Sequence, residues 1–322
     1  MNLHTDTKAF QDAIQAASQG LNIPTVFIEK DYWITLILKR LSESKYVDSV
    51  VFKGGTSLSK GQKLINRFSE DVDIAVIITS EMTGNQIKTL IRTVEKEIAR
   101  ELEEYEAEGI TSKGSRFRKV VYKYPVTQKQ KARVNISDFI IVEINSFANP
   151  YPYSKVTIQS LIGEHLQNNN QSELIKKYGL DSFKNNVLDK VQTMIEKLVS
   201  LFRFSFAMNP IESLSDKIRH FYDLYYLMKD EGCRNYLYSD DFAIEFKRVL
   251  NHDRNQFDEP QGWNTKEIKD SPLITDFTTM WNNLKNSYTK ELSMLAYSDI
   301  PNENDVAVKF QELVLILDAI KE

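Results

Sequence analysis

The chain has 322 residues, 42% hydrophobic and 27% charged, a balance that supports a packed core and excludes a disordered or fibrous protein. That length fits two domains of ordinary size better than one. A net charge of -4, from 41 basic and 45 acidic residues, argues against a bulk electrostatic attraction to nucleic acid, and the single Cys233 excludes an internal disulfide.

In chain order, Thr5 or Asp6 is placed to cap a first helix with Phe10, Ile14 and Ala17 on one face and Gly20 at its end. A second helix is expected after Pro24, carrying Ile28, Trp33, Ile34, Ile37, Leu38 and Leu41. The run from Tyr46 to Phe52 turns to β-type residues and feeds into Gly54-Gly55-Thr56-Ser57, and Val72 to Ile78 reads as a buried strand. Glu81 to Glu108 reads as one long helix, and Phe117 to Val126 and Arg133 to Phe147 as two strands. The texture changes after Asn149-Pro150-Tyr151-Pro152, so a mixed-sheet domain is expected over 1–150 and a mostly helical one over 151–322. Within the latter, Val191, Ile195, Leu198 and Phe202 share one helical face, as do Phe221, Leu224, Tyr225 and Met228. Asn251 to Pro272 reads as a loop, and Phe310, Leu313, Leu317 and Ile320 form a last stripe.

The four histidines lack zinc spacing, the N-terminus carries no charged-then-apolar leader, and apolar runs such as Trp33 to Leu38 are too short to span a bilayer. A cytoplasmic protein with no membrane segment is expected. From Gly109 to Ser137 there is no acidic residue, while Lys113, Arg116, Arg118, Lys119, Lys123, Lys129, Lys131 and Arg133 fall there with Phe117, Tyr122 and Tyr124 between them. Two readings fit: a phosphate-facing patch, or a solvated basic hairpin beside an acidic helix.

The chemistry concentrates in Phe52-Lys53-Gly54-Gly55-Thr56-Ser57-Leu58-Ser59-Lys60 and Arg67-Phe68-Ser69-Glu70-Asp71-Val72-Asp73-Ile74. Two glycines let the backbone approach a triphosphate closely, and a helix starting at Thr56 or Ser57 would aim free N–H groups and hydroxyls at the phosphates. Asp71 and Asp73, one residue apart on a strand, face the same side and are placed to share one or two Mg2+ (or Mn2+) ions. Glu143, in the apolar run Ile140 to Ile144, is either a third metal carboxylate or an edge-strand glutamate facing water. Arg67 and Ser69 are close enough in sequence to reach the same phosphates or only fix the turn, and Lys53 and Lys60 read as phosphate contacts or, the favoured reading, as surface residues.

FKGGTSLSK followed by RFSEDVDI resembles the AbiEii family of nucleotidyltransferase toxins, a branch of the polymerase-β-like nucleotidyltransferase superfamily. Supporting elements extend the resemblance along most of the chain: Glu29-Lys30-Asp31-Tyr32, Glu196-Lys197-Leu198, and Arg219-His220-Phe221-Tyr222-Asp223-Leu224, where His220 replaces the usual acid. The resemblance implies an α+β fold, a catalytic set of Asp71, Asp73, Lys197 and Asp223, and nucleotide contacts from Gly54, Gly55, Thr56 and Ser57. It implies transfer of NMP from an NTP, with tRNA 3′ ends as the acceptor class, a cognate antitoxin, and a bacterial setting of abortive infection and phage defence. Modification of a protein or small molecule, or a silent NTP-binding module, are the rival readings. Helical geometry sets Lys197 off the apolar stripe and puts Asp216, Arg219 and Asp223 on a face away from Phe221, Leu224, Tyr225 and Met228, so neither Lys197 nor Asp223 is expected in the core.

Overall fold

The computed structural model describes residues 1–127 and 137–318. Contacts divide the chain into two compact units, Met1–Lys63 with Phe68–Asp189, and Leu64–Arg67 with Lys190–Glu322. The division expected at 150 therefore falls elsewhere: the first unit continues to Asp189 and lends four earlier residues to the second.

The first unit opens with α1 (Thr7–Leu21), where Asp6 accepts a hydrogen bond from the Ala9 N–H at 3.1 Å and Phe10, Ile14 and Ala17 are buried, as their spacing predicts. The helix runs one residue past Gly20 and ends on Asn22, which takes the left-handed conformation. In α2 (Thr25–Glu43) the burial is not confined to one stripe; Glu29, Lys30 and Asp31 are buried with the apolar residues around them. Then come β1 (Val50–Lys53), the single turn α3 (Gly54–Thr56) continuing as a wider turn over Ser57–Gly61, β2 (Asp71–Val76) and α4 (Gly84–Ile98). The long helix expected from Glu81 to Glu108 is α4 alone, capped by Thr83 and Gln86; Glu103–Tyr105 is instead a short edge strand, β3. The unit closes with β4 (Ser112–Lys113), β5 (Phe117–Lys123), β6 (Phe139–Asn145), β7 (Tyr153–Ile158), α5 (Leu161–Asn168), α6 (Ser172–Tyr178) and β8 (Phe183–Leu188).

The eight strands form one mixed sheet in the order β3-β5-β6-β2-β1-β8-β7, with β4 also on β5. The pairs β2/β6 and β1/β8 are parallel and the rest antiparallel. Pairing of β8 with β1 and β7 draws the stretch after residue 150 into this sheet. Val72, Ile74, Val120, Val142 and Ile144 are fully buried and alternate with residues of the opposite face, the period-two pattern of a sheet with one face in the core.

The second unit is helical: α7 (Lys190–Ser205), α8 (Pro210–Ser215), α9 (Ile218–Lys229), α10 (Glu231–Leu237), α11 (Asp240–Gln256), α12 (Pro272–Thr275), α13 (Phe277–Leu295) and α14 (Glu303–Asp318). Ile195, Leu198, Phe202, Phe221, Leu224, Met228, Phe310, Leu313 and Leu317 are buried as their stripes predict; Ile320 lies outside the described residues. The loop expected from Asn251 to Pro272 begins only after α11, and it is pinned by buried Trp263, whose indole N–H donates to the Phe257 carbonyl at 2.8 Å. Among the described residues no helix is long and apolar enough to cross a membrane.

Candidate active site

Strand β1 ends at Lys53 and the chain turns at Gly54 with φ +78°, a conformation that favours glycine. A β-carbon there would fall inside the van der Waals envelope of the Asp73 carboxylate. Thr56 and Ser57 are buried, and their hydroxyls donate within the turn: Thr56 Oγ1 to the Asp71 carbonyl, and Ser57 Oγ to the Gly54 carbonyl at 2.8 Å. The turn is thus tied to the first residue of β2, and these two hydroxyl protons are engaged by the backbone rather than directed outward.

On β2, Asp71 and Asp73 alternate with buried Val72 and Ile74 and share the opposite face. The register continues across the sheet: Lys53 lies beside Asp73, Asp73 beside Glu143 on β6, and Glu143 beside Lys119 on β5. Two acids side by side are thus flanked by a lysine on each outer strand. The Lys119 Nζ is 3.5 Å from a Glu143 carboxylate oxygen, so Glu143 is neither an edge glutamate nor alone. Burial beside Glu143 and Asp71 pushes the Asp73 carboxyl up to about 8. Among the described residues no group of three His, Cys, Asp or Glu side chains is drawn together tightly enough to hold a metal ion.

The approach to β2 rests on buried charge. Lys30 of α2, fully enclosed, ion-pairs with Glu70 and donates to the backbone carbonyl and hydroxyl of Ser137 at 2.9 Å each; Glu70 in turn accepts from the Ser137 N–H at 3.1 Å and its hydroxyl at 2.7 Å. This couples the residue before Asp71 to the segment leading into β6. One residue along α2, Asp31 ion-pairs with Lys60 and accepts from the Leu161 N–H, while Glu29 accepts from the Thr127 N–H and hydroxyl. Lys60, expected at the surface, is instead largely buried in that pair. Ser69 is also buried. These anchoring roles were missed in the sequence; the only signal was the quoted run Glu29-Lys30-Asp31-Tyr32, three charges inside an apolar helix.

The basic segment divides by strand alternation. Arg118 and Tyr122 turn to the α4 side and both donate to Glu95, Arg118 through Nε at 2.9 Å, so Arg118 is a buried ion-pair partner and not a phosphate contact. Tyr124 is likewise buried. Lys119 and Lys123 stand on the carboxylate face, and Lys113 pairs with Glu104. Lys129, Lys131 and Arg133 lie outside the described residues.

In the helical unit, Asp223 is wholly buried. Arg67 grips it with two hydrogen bonds, Nε to Oδ1 at 2.7 Å and Nη2 to Oδ2 at 2.6 Å, and the Lys197 Nζ lies 2.8 Å from Oδ2. The expectation that Lys197 and Asp223 avoid the core is overturned, because Arg67 supplies the countercharge that makes burial tolerable. Arg219, the helical neighbour, pairs with Glu291 instead. The two cations hold the Asp223 carboxyl well below the usual carboxylate range, so it is a poor proton acceptor near neutral pH. His220 is half-buried, and its pKa is driven down by desolvation and by Lys197, favouring a neutral imidazole where the resemblance expects an acid.

The family model described as nucleotidyl transferase AbiEii toxin, type IV toxin–antitoxin system, matches residues 36–307. No curated protein matches the chain by sequence. Among solved structures, MenT4, a nucleotidyltransferase toxin of Mycobacterium tuberculosis H37Rv, aligns with a TM-score of 0.45 and 16% identity over 96% of this chain and 99% of that one.

Proposed function

The chain belongs to the AbiEii family of nucleotidyltransferase toxins of type IV toxin–antitoxin systems, and from that premise we propose that it transfers NMP from an NTP to the 3′ end of an RNA, tRNA foremost, releasing pyrophosphate. The observation that carries the reading is the row in which Asp73 and Glu143 lie side by side, with Asp71 on the same face of β2 and Gly54 turned against Asp73.

The donor set suits a divalent cation, Mg2+ or Mn2+, in its chemistry, although the three side chains would have to close around the ion, since the structure does not draw them together tightly enough to hold one. It is oxygen only, and positive charge among the three carboxylates would offset the burial and the neighbouring acids that push Asp73 up to about 8. Asp71, Asp73 and Glu143 would hold the ion, which supplies charge neutralisation at the α-phosphate and pyrophosphate and lowers the pKa of the acceptor hydroxyl. The protein's own part is placement. Gly54 and Gly55 leave room for phosphate oxygens against the backbone, while Thr56 locks that turn to Asp71. Lys197 is assigned to the triphosphate from the family motif alone; Asp223, itself held by Arg67, orients it. Lys119 and Lys123 stand on the carboxylate face where an RNA backbone would run. The toxin–antitoxin family supports a cognate antitoxin as partner, and a cytoplasmic setting is part of the same proposal.

The test incubates the protein with Mg2+, each α-labelled NTP in turn and total bacterial tRNA, beside an Asp71→Ala/Asp73→Ala protein. Label in tRNA from the wild type alone supports the reaction and names the nucleotide. Label on protein or on a small acceptor instead would replace RNA as the acceptor. Nucleotide binding without turnover would reduce the chain to a binding module.

A further inference from the structure

Tyr105 is 41% exposed on the edge strand β3. The register places it with care. Tyr105 lies beside Val121 on β5, Val121 beside Ile141 on β6, and Ile141 beside Asp71 on β2, so Tyr105 ends the row that Asp71 begins, on the same face. Three inter-strand steps of ~4.8 Å put the two backbones about 14 Å apart. On that face the two lysines of β5 flank the row: Lys119 one step to one side, beside Glu143, and Lys123 one step to the other, its Nζ 3.9 Å from the centre of the Tyr105 ring. Of the acids of β3, Glu104 turns to the opposite face, where Lys96 and Lys113 neutralise it, while Glu103 lies across from Lys123 on the same face as Tyr105.

We propose that Tyr105 and Lys123 form a subsite for the acceptor, in which an unpaired RNA base upstream of the reacting 3′ end stacks on the Tyr105 ring while Lys123 and Lys119 meet the flanking phosphates. The proposal rests on the RNA-acceptor reading above and deepens it. Distance selects the occupant. With the two backbones about 14 Å apart, the base of an incoming NTP whose α-phosphate sits at Asp71 and Asp73 is the less suited occupant, whereas a strand continuing back from its 3′ terminus covers that span in roughly two nucleotides. Stacking on an exposed ring is tolerant of base identity, so the subsite recognises a single-stranded end and its polarity rather than a sequence.

The experiment titrates acceptor RNA, both total tRNA and a short unpaired oligonucleotide, against wild type, Tyr105→Ala, Tyr105→Phe and Lys123→Met, following label transfer at saturating NTP. Direct RNA binding is measured in parallel in the inactive Asp71→Ala/Asp73→Ala background. Tyr105→Ala is expected to raise the RNA concentration at half-maximal rate about tenfold, the loss of one aromatic–base stack, with the saturating rate and the KM for NTP unchanged. Tyr105→Phe should behave as wild type, and Lys123→Met should flatten the salt dependence of RNA binding. If Tyr105→Ala titrates like wild type, or Tyr105→Phe is as impaired as Tyr105→Ala, the subsite is wrong although RNA is still labelled. If wild type labels no RNA at all, the acceptor reading itself fails, and the subsite with it.

Discussion

Gly54 and Asp73 are in such close approach that no side chain fits between them: the missing β-carbon of the one is the space taken by the carboxylate of the other. The turn glycine and the central acid are therefore a single geometric unit. Gly54→Ala should cost ~1–2 kcal/mol of stability from the left-handed backbone alone and should displace Asp73 as well. Expected is a near-complete loss of nucleotidyl transfer with a folded protein, checked by label transfer beside a thermal melt; a Gly54→Ala protein with wild-type kcat would break the link between turn and acid.

The raised Asp73 carboxyl gives a pH signature. A group held above its unfolded value near 4 stabilises the fold below that pH, and this contribution is lost as pH rises towards about 8. In chelator, wild-type Tm should therefore fall between pH 4 and 8 by more than that of Asp73→Asn. Added Mg2+ should raise Tm more at pH 8.5 than at pH 6, since protons compete with the cation below about pH 8. Equal slopes for the two proteins would mean that Asp73 ionises normally.

Asp223 has the opposite sign. Its carboxyl is held low by Arg67 and Lys197, so its stabilisation is present above the unfolded value near 4 and is lost as pH falls below it. Asp223→Asn leaves two buried cations without their carboxylate and should cost roughly 3–5 kcal/mol in urea unfolding near pH 7. The double variant Asp223→Leu/Arg67→Met should recover part of that loss, which a double-mutant cycle resolves.

Neighbouring basic residues of β5 should separate cleanly. Arg118→Met strands the fully buried Glu95 and should destabilise by roughly 3–5 kcal/mol. Lys119→Ala and Lys123→Ala should leave stability within about 0.5 kcal/mol and weaken RNA binding most at low salt. Comparable RNA-binding loss for Arg118→Met after correction for unfolding would return that residue to the patch.

Much of the carboxylate face was legible because its signals are local: a glycine pair after a strand, then two acids at the strand period. The parallel pairing that brings Glu143 beside Asp73 was only anticipated, since register between distant strands leaves little trace in either one. Charge burial was the main blind spot. Helical spacing puts Asp223 on a polar face, and nothing near it in sequence reveals Arg67, 156 residues away. Lys60 misleads for the same reason, since a lysine reads as exposed until its partner is known. The domain division failed because β8, the strand that extends the sheet beyond β1, lies after the Pro-rich stretch that looked like a boundary. Glu103-Glu104-Tyr105 was absorbed into a helix because an acid-rich edge strand has weak β character of its own.

Leu64–Arg67 belongs to the helical unit although it precedes most of the sheet in the chain. No single cut therefore separates the two units. A fragment stopped at Asp189 would carry the Arg67 guanidinium without the carboxylate that neutralises it, as would a chain still on the ribosome until residue 223 has emerged. Premature termination should yield a product for proteolysis rather than a half-active toxin, and the cell meets the toxic activity only once translation has passed the second unit.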